Sequence, residues 1–132
     1  MSVGSANFGG RDVTFVAAAD LSSYQYCAVY VSAAGKVNVQ TTNNGRVAGI
    51  LQNTPESGEE AIVRVDGTSL HKVNEACAVH KHLTPANAAG GKGEIVDADN
   101  EYFFCETLEA ATAQNDLIAV RLCSGFAGAS QA

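Results

Sequence analysis

Three histidines, four cysteines and a few clustered carboxylates are the residues of this sequence whose types could do chemistry. His80 and His82 are two apart, so on a strand they would face one side and could share a metal ion, with His71 as a third ligand. Any two residues at that spacing share a face, however, and no Cys or carboxylate follows at a recognised ligand interval, so the spacing by itself does not make a metal site. Cys77 lies three residues before His80, which invites the thought of a thiolate nucleophile. Such pairs are assembled by a fold rather than by proximity in sequence, and a core thiol beside a surface imidazole explains the same residues. Gly90-Gly91-Lys92-Gly93 lacks the Ser or Thr that follows the lysine of a phosphate-binding loop, and Glu94-Ile95-Val96 continues it as a strand, not a helix. Glu56, Glu59 and Glu60 lack calcium-loop spacing, and Asp97, Asp99 and Asn100 lack the Gly and closing Glu such a loop needs. No nucleophile elbow and no acid pair is present. The reading is a non-enzymatic protein with no cofactor and no metal.

The elements that would position these residues read as short strands. Residues 26–31, Tyr-Cys-Ala-Val-Tyr-Val, are β-branched and aromatic, and after a Ser-Ala-Ala-Gly break residues 36–40 alternate with period two, the signature of a hairpin. Asn43-Asn44-Gly45 supplies residues that tolerate positive φ and predicts a further turn before a strand over 47–51. Within 61–65, Ile62 and Arg64 share one face while Ala61, Val63 and Val65 share the other, and Asp66-Gly67 reads as a hairpin turn into 68–73. Residues 84–93 carry no periodic signal and read as a mobile loop facing solvent or a partner. Strands over 102–105 and 117–122 complete the set, with 106–115 open between one short helix and an extended stretch with a turn. Seven to nine strands predict an all-β fold, a small single-domain β-barrel or β-tulip-like sandwich.

The chain of 132 residues, 46% of them hydrophobic, is long enough for one domain and one core. A formal charge of −6, with only eight scattered Lys and Arg, argues against gripping nucleic acid or an anionic membrane. No stretch resembles a secretory signal or reaches transmembrane length, and the widely spaced Cys27, Cys77, Cys105 and Cys123 read as reduced core thiols made in a cytoplasm.

The string Gly49-Ile50-Leu51-Gln52-Asn53-Thr54-Pro55-Glu56-Ser57-Gly58-Glu59-Glu60-Ala61, continuing through Val63-Arg64-Val65-Asp66-Gly67-Thr68-Ser69, resembles the capsid cement, or head decoration, proteins of tailed bacteriophages. Ala33-Ala34-Gly35-Lys36-Val37 upstream, with Leu108-Glu109-Ala110-Ala111 and Ile118-Ala119-Val120-Arg121-Leu122 downstream, are similar to that family in the same order. The likeness spans residues 12 to 123 and departs from the family around Cys105-Glu106-Thr107 and from Asn74 to Asn100. It implies a domain on the outer surface of a virion, made in the host cytoplasm. There it would bind the major capsid protein and brace an assembled head against internal DNA pressure. Some members of the family are trimers, so self-association is part of the implication.

Residues 1–12 read as an extended arm, 13–123 as the β decoration domain and 124–132 as a flexible tail. A frayed terminus explains the arm, as does a segment that orders on a partner by strand addition, and in the latter case Val3, Phe8, Arg11 and Phe15 are the candidate contacts with the capsid or another partner. A second functional class is a small ligand-binding or host-surface adhesion module displayed on a particle, using Tyr24, Tyr26 or Tyr102 as its platform.

Overall fold

Runs of β-branched and aromatic residues, broken by Gly- and Asn-centred turns, give nine strands and no helix among the residues described by the computed structural model, 9–98 and 100–127. In chain order they are β1 (Gly10–Ala17), β2 (Ala28–Ala33), β3 (Lys36–Val39), β4 (Gly49–Leu51), β5 (Glu60–Lys72), β6 (His82–Pro85), β7 (Gly93–Ile95), β8 (Tyr102–Thr107) and β9 (Leu117–Phe126). All join one sheet in the order β1-β3-β2-β4-β5-β9-β8-β6-β7, and β1 also pairs with β5. The pairings from β1 through β3, β2, β4 and β5 back to β1 therefore close a circuit. A second circuit leaves β5 through β9, β8, β6 and β7, and is fastened back by a bridge from Val73, the residue after β5, to Gly93. The all-β expectation holds, in a sandwich-like form whose two circuits share β5.

Two apolar cores fill this frame. Ala17, Leu21, Val29, Val37, Leu51, Ala61 and Val63 form one, inside the first circuit. Ala28, Ile50, Val73, Leu83, Phe104, Cys105, Ile118 and Val120 belong to the other. Successive residues of a strand point to opposite faces. Ala28 and Val29 of β2 thus look into different cores, as do Ile50 and Leu51 of β4, and these two paired strands are the wall between them. This is why 26–31 and 47–51 read as unbroken apolar runs, whereas β5, with one face in solvent, alternates buried Ala61 and Val63 with exposed Ile62.

The expected hairpin at Asp66-Gly67 is not formed, because β5 runs unbroken through both residues. Gly67 takes φ +91° and is where β5 changes partners, facing Gly10 of β1 on one edge and Leu122 of β9 on the other. A Cβ there would lie 2.2 Å from the Gly9 carbonyl oxygen, so the glycine serves a close backbone crossing rather than a turn. Gly67→Ala is expected to lower the unfolding free energy by about 1–3 kcal/mol from the backbone conformation alone, with the clash adding to it. Urea unfolding of the variant measures this, and an unchanged midpoint would contradict the crossing.

Of two other segments, one expectation is revised and one open choice is decided. Residues 84–93 are anchored rather than loose: Thr84 and Ala86 are buried, Thr84 Oγ1 accepts from the Asn44 amide, and the Ala28 amide donates to the Gly91 carbonyl. Between β8 and β9 the chain is extended and turned, with the Thr112 and Ala113 amides and the Thr112 hydroxyl all donating to the Asp116 carboxylate. At the ends, β1 begins at Gly10 and β9 continues to Phe126, so the sheet takes in part of both segments read as arm and tail.

Candidate functional site

Of the four candidate contacts, Val3 and Phe8 lie outside the described residues. Arg11 is exposed on β1, where its guanidinium pairs with Asp66 at 3.2 Å and its amide donates to the same carboxylate. Phe15 is half-buried and packs on the first core beside Tyr24, Val39 and Val65. The structure therefore places Arg11 on the surface and commits much of the Phe15 ring to the interior. The tyrosines of the adhesion reading are not gathered on an open face. Tyr24 packs on the first core, Tyr26 on the second, and Tyr102 is only 7% exposed.

The three histidines go to three environments. His71, on β5, is fully buried, edge-on to Phe104 at 5.0 Å, with Nδ1 donating to the Tyr26 carbonyl at 2.9 Å. Its Nε2 has no hydrogen-bond partner, and a Cβ on Gly93 would stand 2.7 Å from it. Burial outweighs the Tyr26 hydrogen bond and lowers its pKa to about 4, so the ring is neutral at pH 7. His82 stacks on Phe103 at 4.1 Å and stands opposite Glu106, which in turn stands opposite Arg121. Arg121 donates to Glu106 at 2.5 Å and His80 Nδ1 lies 3.3 Å from the same carboxylate. The hydrogen bond from Arg121 holds the Glu106 carboxyl below the usual range. Among the described residues no group of three potential ligands is arranged to hold a metal ion.

Cys27, Cys77 and Cys105 are buried and Cys123 half-buried, all as free thiols. Burial pushes each of them up, Cys105 most, which is opposite to the lowering that makes a reactive thiolate. The pairing of Cys77 with His80 in sequence therefore does not carry over into thiol activation.

A feature that the sequence did not single out lies where the two circuits part. β1 holds one edge of β5 as far as Gly67, so β4 and β9 must share the other: β4 faces Val63 and Arg64, and β9 begins at Gly67. Val65 and Asp66 fall in the gap between them. A cavity of about 300 Å³ opens there, lined by Val47, Val65, Tyr102, Phe104 and Leu122 with Asp66 and Ser124. At its rim the exposed Arg46 guanidinium sits 4.7 Å from the Tyr102 ring and 4.9 Å from the Phe126 ring. Arg46 was hidden in the sequence because its clamp comes from three separate strands and turns, brought together only by the sheet order.

No family model matches the chain, and no curated protein matches it in sequence. Its fold is similar to a solved structure, the N base of the head fiber gp8.5 in bacteriophage phi29, with a TM-score of 0.64 and 13% sequence identity over 86% of this chain and 93% of that one.

Proposed function

We propose that this chain is a structural protein of a tailed-phage head that decorates the outside of the assembled shell and stabilises it against the pressure of packaged DNA. The observation that carries the reading is the fold shared with the phi29 head fiber base along nearly the whole of both chains. The resemblance of residues 49–69 to head decoration proteins points the same way from the sequence. A decorating role asks for a stable domain and a surface that fits a repeating lattice, where many copies make weak single contacts adequate. The double core supplies the first. The major capsid protein is the partner, met from the outer surface, with Arg11 among the contacts; self-association on the lattice is compatible with it.

Mixing purified protein with mature heads that lack it tests the proposal. Stoichiometric bound density and a raised disruption temperature are the expected results, and heads that neither bind the protein nor gain stability would sink it.

A further inference from the structure

We propose that the gap between β4 and β9 is a docking slot for an extended peptide segment of the head protein, which adds as a strand to the edge of β9 left without a partner among the described residues, places an apolar side chain in the cavity and sets an acidic side chain on Arg46. This deepens the decoration reading and rests on it for the source of the segment. Three independent observations meet here.

The first is the backbone. β9 pairs with β8 on one edge as far as Phe126, but its β5-side pairing stops at Leu122. From 123 to 126 that second edge faces no strand among the described residues. An unpaired edge offers amides and carbonyls to an incoming strand, and proteins usually block such edges with Lys, Pro or a cover. The sequence Cys123-Ser124-Gly125-Phe126 carries no charge and no proline, and Phe126 is 58% exposed.

The second is the cavity beside that edge. Side chains of an added strand alternate between its two faces, so one of them would be directed at the space lined by Val47, Val65, Phe104 and Leu122. An apolar residue fits that lining. The third is charge. Arg11, Arg64 and Arg121 are each paired with a carboxylate, on Asp66, Asp12 and Glu106. Arg46 has none among the described residues and is held instead between two aromatic rings. In a chain of formal charge −6, a clamped guanidinium that pairs with no carboxylate among the described residues is pre-set to receive one from outside.

The test uses the full chain, undecorated heads and a fluorescein-labelled, end-blocked peptide alternating Val and Thr with one Asp. Arg46→Glu should weaken binding to heads and to the peptide by about tenfold or more while the variant stays folded with at most a small drop in thermal midpoint, because Arg46 is exposed and gives up only its contacts with the Tyr102 and Phe126 rings. Ala48→Leu, which fills the cavity and leaves charge alone, should weaken both as well. Head binding that is unchanged in both variants would overturn the slot while leaving head attachment in place. Peptide binding that depends on Arg46, in a protein that ignores heads, would support the slot and sink the attachment. Failure to bind either heads or peptide would overturn both.

Discussion

Between pH 6.5 and about pH 4 the protein is expected to lose about 3 kcal/mol of unfolding free energy that a His71→Leu variant keeps. The neutral ring of His71 is fully buried, and burial lowers its pKa from 6.5 to about 4. The unfolded chain takes up this proton once the pH falls below about 6.5, whereas the folded protein resists it until about 4. Over that window the unfolded state binds more protons and is favoured as the pH drops; above it the contribution is flat, and below it the loss is complete. At about 1.4 kcal/mol for each pH unit of the window the total reaches about 3 kcal/mol. The geometry says why the proton is unwelcome. With Nδ1 donating to the Tyr26 carbonyl, protonation must occur at Nε2, which faces Gly93 and has no acceptor within reach. The leucine variant is tolerable because the Tyr26 carbonyl still accepts from the Lys72 amide at 3.0 Å. Asp20, Glu106 and Asp116, all held below the usual carboxylate range, add acid slopes of their own to both proteins. The difference between variant and wild type therefore isolates His71. Urea unfolding at pH 4, 5, 6 and 7 gives that difference, and parallel curves would show that His71 is not the neutral buried group described.

Much of this fold was legible in the sequence, and where it was not the reason is physical. The hairpin of β2 and β3 announced itself by alternation and by Gly35, which takes φ +73°, and Asn44 takes the positive φ that its turn asked for. The face assignment of β5 also holds, since Ala61 and Val63 are buried while Ile62 is exposed. Asp66-Gly67 misled because a glycine with positive φ serves a tight turn and a crossing strand equally well, and only the approach of Gly9 and Gly10 decides between them. β1 lacks a buried alternating face: from Gly10 to Val16 only Phe15 is even half-buried, so its pairing with β5 left little trace in the pattern. His71 could be singled out by type but not by environment, because its burial depends on Phe104 and Gly93 from strands far along the chain. The β4–β9 gap was invisible for the same reason.

Ile50→Ala and Leu51→Ala are each expected to lower the unfolding free energy by about 2–5 kcal/mol, and to do so in different cores although the two residues are neighbours in the chain. Both side chains are fully buried. Ile50 belongs with Ala28, Phe104 and Val120, and Leu51 with Val29, Val37 and Val63, on the two sides of the wall formed by β2 and β4. Each substitution opens a space on one side only, so the two share no cavity, and their effects in the double variant should add to within about 0.5 kcal/mol. A coupling well above that would mean that the wall shifts as a unit and transmits strain between the cores. The same architecture predicts a single unfolding transition in all three variants. β5 borders both circuits, and losing either core removes a face from β2 and β4 together, so neither half keeps a complete set of partners once the other opens. Denaturant curves followed by circular dichroism and by tyrosine fluorescence should therefore coincide. Two separated transitions in Leu51→Ala would show instead that the circuit of β5, β9, β8, β6 and β7 stands alone, and that the wall divides two folding units.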